Sequence, residues 1–291
     1  MGVIDDWKAR GSFIDAEHGE VFVVDVPAAT DDGLDPLLVI HGYPSCSYDW
    51  AASLPILSAR RRVVLMDLPG FGLSAKPDMR YSIRLYADAV EAVACEAALT
   101  SVALVTHDMG DTVGGELLAR DLEGELSFEV TERVLTNGSI YIDMAQLTPG
   151  QQFLLAAPDE RLEAGWGGDG AAFQSSLAAI CSPDHQPAAE DLAALWVFMA
   201  HNEGQRLLTR TIRYIEDRRA EEARFTGAIE THPSPLGVVW GALDPVAVYP
   251  MTDKLLEARP DARRITLEDV GHFPMLEDAP RTAAAIVSLL A

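Results

Sequence analysis

The chain has 291 residues, of which 48% are hydrophobic, and 22 basic against 45 acidic side chains give a formal net charge of −23. A chain of this length and composition can bury one large core, which argues against intrinsic disorder. The strong negative charge repels nucleic acid and anionic membranes, so neither is an expected partner.

The cysteines and the N-terminus indicate the compartment. Cys46, Cys95 and Cys181 are scattered without CxxC spacing, which is typical of a reducing environment. The first residues, MGVIDDWKAR, lack the apolar stretch of a signal peptide. No apolar run approaches the length of a membrane span, so we expect a cytoplasmic protein.

Short β-prone runs recur along the chain and predict the strands of one sheet. Several are continuously apolar, as in strands that are buried on both faces of a parallel sheet. Helix-like segments such as 81–99 separate most of them, and this alternation predicts an α/β fold. The β-prone runs are 21–26, 37–41, 62–67, 102–106, 133–136, 237–241 and 263–267.

The alternation breaks after the run at 133–136, where about a hundred residues pass without a clear buried strand. A glycine-rich joint at 165–170 is followed there by two predicted helices, 191–202 and 205–223. This interval predicts a helical cap that is inserted into the fold. Ligands bind beyond the carboxyl ends of parallel strands, so a cap in this position would cover the site.

The domain boundaries follow from this interval. We expect a core domain formed by residues 1–138 and 233–291, with a cap formed by residues 139–232. The cap then precedes the β-prone run at 237–241.

The junction between a predicted strand and a predicted helix carries an aspartate, Asp108, flanked by Thr106 and Gly110. A nucleophile elbow needs small residues at these two flanking positions, because the strand and the helix approach closely there. The helix N-terminus favours an ionised carboxylate by roughly 0.3–2 kcal/mol. A helix N-cap is the alternative interpretation of an isolated aspartate.

A carboxylate at the nucleophile position indicates a particular chemistry. It can displace a leaving group from an sp³ carbon, and water can then attack the resulting ester. Serine in the same position would leave an ether that water could not cleave. Asp108 therefore predicts alkyl transfer to water rather than acyl transfer.

An acid and a base follow in the order found in α/β-hydrolases. Asp244 lies in the sequence Gly-Ala-Leu-Asp-Pro after one predicted strand, and His272 follows the last strand. Alone, Asp244 with its following proline could form a turn, and His272 could be a loop residue. The joint order behind the predicted strands favours a catalytic set.

The loop His41-Gly-Tyr43-Pro follows another buried strand. We expect the backbone N–H groups of Tyr43 and Met109 to hold an oxyanion, each contributing roughly 3–4 kcal/mol. His41 is a further candidate for this part of the site.

Four motifs carry a resemblance to a known family: HGYPSCSYDW (41–50), DLPGFGLSAKP (67–77), HDMGD (107–111) and GALDP (241–245). They resemble the epoxide hydrolase and haloalkane dehalogenase group of α/β-hydrolases. The mesoderm-specific transcript proteins and their bacterial relatives are the most similar branch. The resemblance covers nearly the whole chain.

The resemblance implies the α/β-hydrolase fold: a mostly parallel eight-stranded sheet with helices on both faces and an α-helical cap inserted before the seventh strand. It implies Asp108 as nucleophile, Asp244 as charge-relay acid and His272 as base. The implied reaction opens a small apolar epoxide to a vicinal diol with water as co-substrate, without metal or organic cofactor.

In epoxide hydrolases two cap tyrosines bind and protonate the epoxide oxygen. Tyr214 falls at the position of the second, thirty residues before Asp244. The first lacks a counterpart, since Tyr214 is the only tyrosine between Tyr141 and Tyr249. Tyr141 is the candidate substitute.

Two rival functions remain. A hydrolytic haloalkane dehalogenase would use the same nucleophile, but the halide-binding positions hold Met109 and Tyr43, whose side chains are poor halide donors. The alternative acid position falls near Asn137, which cannot ionise, and this favours Asp244. A non-catalytic binding protein with this fold is the rival from another class. Both a monomer and a homodimer stay open.

The predicted cap has two further features. A basic stripe is expected on a solvated face, paired with nearby acids, with a carboxylate-bearing substrate as the alternative. It consists of Arg206, Arg210 and Arg213. Trp196 is expected in the cap core, and it is also a candidate for the wall of the substrate site.

Overall fold

In the computed structural model, which describes residues 2–290, eight strands form one sheet in the order β1-β2-β4-β3-β5-β6-β7-β8. β2 runs antiparallel to both of its neighbours, and the other adjacent strands are parallel. The strands are β1 (Ser12–Ala16), β2 (Gly19–Val26), β3 (Leu37–Ile40), β4 (Val63–Met66), β5 (Ser101–His107), β6 (Glu129–Thr136), β7 (Leu236–Gly241) and β8 (Arg263–Leu267).

Each of the seven β-prone runs is a strand, and the eight-stranded, mostly parallel sheet is confirmed. β1 has no counterpart among these β-prone runs. This strand lies at the edge of the sheet and each of its residues is exposed or half-buried. It therefore lacks the continuous apolar run that marks the buried strands.

Helices cover both faces of the sheet. Alternate residues of β3 point to opposite faces, so Leu38 and Ile40 join one apolar core while Leu37 and Val39 join the other. The helices are α1 (Val3–Lys8), α2 (Leu54–Leu57), α3 (Ile83–Glu96), α4 (Met109–Glu123), α5 (Pro149–Ala156), α6 (Ala171–Ala178), α7 (Ala189–Ala200), α8 (Leu208–Thr211), α9 (Tyr214–Ala220), α10 (Glu222–Thr231), α11 (Pro250–Ala258), α12 (Pro274–Glu277) and α13 (Ala279–Leu289).

The segment between β6 and β7 contains α5 to α10 and a 3₁₀ helix, His201–Leu207. The predicted helix at 191–202 corresponds to α7. The prediction of one helix over 205–223 is wrong, because the chain is divided there among the 3₁₀ helix, α8, α9 and the start of α10. Around Tyr214 the backbone N–H groups bond three residues back, as in Ile215 to Ile212, which tightens the turn and redirects the chain.

The two ends of this segment differ in their packing. α10 packs along α4 of the sheet layer, whereas α6 packs against α7. Gly170 has a positive φ of 82°, and a Cβ atom there would lie 2.2 Å from the Trp196 ring. The glycine-rich joint thus lets the backbone pass directly against Trp196. Among residues 2–290, no helix is both long and apolar enough to cross a membrane.

Candidate active site

Asp108 forms a sharp bend between β5 and α4. Its φ of 50° and ψ of −113° are strained for a residue with a side chain. A Cβ atom at Gly110 would lie 2.6 Å from the carbonyl oxygen of Ile40, and one at Gly42 would lie 2.6 Å from the Asp108 Cβ. Glycines at both positions therefore let the bend sit against the loop that follows β3.

Backbone donors hold the buried carboxylate of Asp108. Its Oδ1 accepts a 2.7 Å hydrogen bond from the Tyr43 N–H, and the Met109 N–H also bonds this side chain. Burial raises the pKa of Asp108, while the charge of His272 and these two N–H groups oppose the rise. The two donors predicted for an oxyanion thus surround the carboxylate of Asp108.

His272 lies between two carboxylates. Its Nε2 is 3.6 Å from Asp108 Oδ2, and its Nδ1 is 2.8 Å from Asp244 Oδ2. The other oxygen of Asp244 accepts N–H bonds from Val246 (2.7 Å) and Ala247 (3.0 Å). Burial lowers the pKa of His272, but Asp244 and Asp108 outweigh it and raise the pKa to about 9. The structure thus brings the three predicted catalytic side chains together.

Asn137 has a role that the sequence did not reveal. Its Nδ2 donates a 2.8 Å hydrogen bond to Asp244 Oδ2, and its Oδ1 accepts a 3.0 Å bond from the Gly241 N–H. The residue has a positive φ of 47° at the end of β6. The sequence did hold one signal for this role. Asn137 stands after β6, where an alternative acid would stand, and the ends of β6 and β7 are adjacent, so its side chain can reach Asp244.

Glu277 fixes the loop that carries His272, and this role was also missed. Its buried carboxylate accepts three backbone hydrogen bonds, from Ser182 (2.7 Å), Gly271 (2.7 Å) and Phe273 (2.9 Å). The backbone N–H of His272 itself donates to the Ile180 carbonyl at 3.0 Å. The histidine loop is therefore fastened to residues 180–182 of the segment between β6 and β7.

Two tyrosine side chains lie close to Asp108. The ring centroids of Tyr43 and Tyr214 are 5.5 Å apart, and both residues are buried. Burial raises the pKa of both phenols, and the charge of Asp108 raises it further. The Tyr43 hydroxyl has no hydrogen-bond partner among residues 2–290, with the Thr211 hydroxyl near enough to lower its pKa.

Tyr141 and His41 are directed elsewhere. The Tyr141 hydroxyl donates a 2.8 Å bond to Glu230, and the Lys254 ammonium lies 4.2 Å from the centre of its ring. Both ring nitrogens of His41 are engaged by the backbone: Nδ1 by the Gly42 carbonyl at 2.8 Å, and Nε2 by the Leu68 N–H at 2.9 Å. His41 therefore braces the loop that presents Tyr43.

A cavity of about 450 Å³ opens above His272 and Tyr43. This volume is in the range of small-molecule sites. Trp196 is one of its walls, as the sequence allowed, and the apolar lining also includes Phe153, Leu154, Trp166, Phe173 and Leu177. The site therefore joins a polar floor to apolar walls.

The three arginines of the predicted stripe are paired with acids. Arg206 bonds Glu203, and Arg210 bonds Asp78. Arg213 bonds Glu216 at 2.7 Å and several carbonyl groups, and it is buried rather than solvated. Among residues 2–290, no group of three or more His, Cys, Asp or Glu side chains is arranged to hold a metal ion.

This bend, with an acid and a histidine after later strands of a mostly parallel sheet, defines an α/β-hydrolase. Residues 37–285 match the alpha/beta hydrolase family, and the chain belongs to that family. The predicted fold class is confirmed.

Relatives extend the similarity over the whole chain. LipZ of Mycobacterium tuberculosis is 38% identical over 291 residues, covering 99% of this chain and 98% of LipZ. The mesoderm-specific transcript homolog protein of Bos taurus is 29% identical, covering 94% of this chain and 84% of that protein. A haloalkane dehalogenase of Psychrobacter cryohalolentis is 34% identical over 110 residues, or 37% of this chain and 36% of the dehalogenase. The group inferred from the motifs is confirmed.

A solved structure shows the same fold at low sequence identity. The haloalkane dehalogenase DbeA-M1 loop variant of Bradyrhizobium elkanii superposes with a TM-score of 0.74 and 18% identity, covering 96% of both chains. At this identity the likeness concerns the fold alone, and function depends on the site.

Proposed function

We propose that this hydrolase opens an apolar epoxide to a vicinal diol through an ester on Asp108. One observation carries the proposal: the residue at the elbow is a carboxylate, and His272 lies 3.6 Å from it with Asp244 behind. A carboxylate nucleophile followed by a histidine base suits alkylation and subsequent hydrolysis.

In the first step, Asp108 Oδ2 attacks one epoxide carbon and forms a C–O bond. The ring C–O bond breaks, and its electron pair passes to the ring oxygen, which takes a proton from a phenol. Asp108 Oδ1 stays on the Tyr43 N–H at 2.7 Å, which leaves Oδ2 as the attacking atom. The carboxylate needs no base for this step.

In the second step, His272 Nε2 removes a proton from water, and the resulting hydroxide adds to Cγ of the Asp108 ester. The negative charge that forms on Oδ1 is stabilised by the N–H groups of Tyr43 and Met109. The Cγ–Oδ2 bond then breaks. Oδ2 leaves with the diol and takes the proton back from His272. Asp108 is left as the neutral acid and loses its proton to water, and the phenolate from the first step regains one, which restores the starting state.

The two phenols support an epoxide over a substrate that needs no proton. Burial and the charge of Asp108 raise the pKa of both Tyr43 and Tyr214, so each keeps its proton at neutral pH. The Tyr43 hydroxyl lies near the Thr211 hydroxyl and is not bonded to an acid in residues 2–290, so it offers a hydrogen-bond donor that Tyr141, bonded to Glu230, does not. We assign Tyr214 as the proton donor, with Tyr43 as the second hydroxyl at the ring oxygen.

The walls of the cavity indicate the substituent on the epoxide. Aromatic and aliphatic side chains surround about 450 Å³ of space, and His272 is the only ionisable group on its lining apart from Tyr43, among the residues described. An aryl or alkyl group would gain about 25 cal/mol for each Å² of apolar surface buried there. We therefore expect neutral epoxides with one such substituent.

A hydrolytic haloalkane dehalogenase is the second candidate. The partial sequence similarity to a haloalkane dehalogenase favours it. The residue after the nucleophile is Met109, whose side chain has no N–H to hold a halide, and this disfavours it. A non-catalytic binding protein with this fold is the third candidate.

Intact-protein mass spectrometry of His272→Gln separates the three. The variant is incubated with a panel of apolar epoxides and haloalkanes of matched size. An epoxide that is a substrate adds its whole mass once and the ester persists, whereas a haloalkane adds its mass minus HX. A binding protein gains no covalent mass, and that result would overturn the proposal.

The matched control is Asp108→Ala combined with His272→Gln. Cys95 is an exposed thiol that reactive epoxides can alkylate without any active site. An adduct that persists in the double variant is therefore non-specific, and peptide mapping locates the genuine ester on Asp108.

A further inference from the structure

Arg218 on α9 is a buried cation that the reaction described above does not use. Its side chain is almost inaccessible, with 3% of the residue exposed. Its Nε and Nη1 are buried without a hydrogen-bond partner among residues 2–290. Its guanidinium carbon lies 5.5 Å from the centre of the Tyr214 ring, one helical turn earlier in the chain.

The acids nearest to Arg218 in sequence are engaged elsewhere. Asp217 pairs with Arg80 at 3.2 Å, and Glu216 pairs with Arg213 at 2.7 Å. Glu221 pairs with Arg84, and Glu222 accepts the Ile142 N–H at 2.9 Å. A buried charge without a partner is unfavourable for folding, and buried arginines are ordinarily paired. Arg218 therefore differs from the paired arginines of the same segment.

The charge of Arg218 acts on two groups of the site. Burial raises the pKa of Tyr214, and Arg218 opposes that rise. Burial likewise raises the pKa of Asp108, and Arg218 is among the groups that oppose it. The effect on Tyr214 favours negative charge where the ring-opening step creates it, whereas the charge of Asp108 is lost in that step.

We propose that Arg218 is a positioning residue that stabilises the phenolate left on Tyr214 when the epoxide ring opens. The inference rests on the proposed function. As the ring C–O bond breaks, the proton of the Tyr214 hydroxyl moves to the ring oxygen, and the O–H electron pair stays on the phenol. The phenolate regains a proton from water before the next turnover.

Arg218 can stabilise the phenolate because two of its nitrogens lack a hydrogen-bond partner in residues 2–290. A cation that is already neutralised by a carboxylate gains little from a new negative charge nearby. Arg218 is fixed by burial and faces the ring of Tyr214, so it needs no rearrangement when the phenolate forms. An aromatic ring that becomes an anion attracts the guanidinium more strongly than a neutral ring does.

The test uses His272→Gln as parent, so that each alkylation event is trapped as an ester. Single-turnover ester formation with styrene oxide is followed by rapid quench and intact mass. Arg218→Met, Arg218→Lys and the control Arg219→Met are compared, each with Tyr214 intact and with Tyr214→Phe. Arg219 is the exposed neighbour on the same helix, which makes it a matched control.

Arg218→Met should slow ester formation by roughly 10- to 100-fold, below the range for removing a donor that touches the oxyanion itself. Arg218→Lys should recover part of the rate, and Arg219→Met should leave it unchanged. In the Tyr214→Phe background, Arg218→Met should cause no further loss, because the phenolate no longer forms. A purely structural role would not produce this dependence on Tyr214.

Three outcomes would overturn the inference. An equal loss with and without Tyr214 would assign Arg218 to the ionisation of Asp108 or to folding. A loss that is confined to 4-carboxystyrene oxide would make Arg218 an anchor for a substrate carboxylate. If the parent forms no ester with any epoxide, the proposed function fails as well, whereas ester formation without coupling defeats this inference alone.

Discussion

The Asn137 amide donates a 2.8 Å hydrogen bond to Asp244 Oδ2, the same oxygen that His272 Nδ1 contacts at 2.8 Å. The residue after β6 therefore restrains the acid after β7. Asn137 also accepts the Gly241 N–H through Oδ1, which ties the ends of the two strands together. Orientation of the acid in turn orients the imidazole.

Asn137→Ala should slow hydrolysis of the ester more than its formation. The substitution leaves Asp244 Oδ2 and the Gly241 N–H short of one partner each, and such a loss is worth about 1–3 kcal/mol. Ester hydrolysis should fall by roughly 5- to 150-fold, measured from the decay of the ester in rapid-quench single-turnover experiments with His272 intact. An unchanged decay rate would show that Asp244 is held adequately by Val246 and Ala247.

The pKa of His272 should depend on the charge of Asp108. Because the pKa is raised to about 9, the imidazole is charged below that pH and neutral above it. Asp108→Asn removes one of the three carboxylates that raise the pKa, with Asp244 and Glu277 unchanged, so the pKa should fall below 9. An NMR titration of the imidazole resonances measures it directly.

The charge of Asp108 changes during turnover, and the pKa of His272 should change with it. Formation of the ester neutralises Asp108, which should lower the pKa of His272 and free its Nε2 to act as the base. Intact mass must show that the new amide persists in Asp108→Asn, since an active histidine could hydrolyse it. Identical titration curves for the wild type and Asp108→Asn would show that the charge of Asp108 does not affect the pKa of His272.

Isotope labelling should place the oxygen of Asp108 in the product. A single turnover in ¹⁸O-water should give unlabelled diol, because water attacks Cγ and Oδ2 departs with the alkyl group. The label should appear in the peptide that contains Asp108. Direct entry of ¹⁸O into the first diol would indicate that the site activates water to attack the epoxide itself.

Tyr214→Phe should slow ester formation from an epoxide by roughly 10²- to 10⁴-fold, the range for general acids. Tyr43→Phe should have a smaller effect on the same step, because it removes one hydroxyl and keeps the backbone N–H that holds Asp108. Rapid-quench kinetics with an epoxide and with a haloalkane of similar size checks both. Unchanged epoxide rates in both variants would favour the dehalogenase function.

Much of the fold follows from local patterns. The apolar runs of β3, β4, β5 and β7 are buried on both faces, and burial of that kind leaves an unbroken signal in the sequence. The half-exposed edge strand β1 leaves none. The break before Tyr214 also escaped detection, since helical periodicity continues across a tightened turn and cannot reveal a change in axis.

The sequence by itself determined the identity and order of Asp108, Asp244 and His272, because the elbow requires small neighbours and the acid and base each follow a buried strand. Their contacts with other parts of the chain depend on tertiary structure. Asn137 reaches Asp244 over 107 positions in the chain. Two nitrogens of Arg218 lack a partner in residues 2–290, while Asp217 and Glu221 pair with arginines of another helix region. Pairing between distant segments is set by packing and charge in three dimensions, which no local spacing encodes.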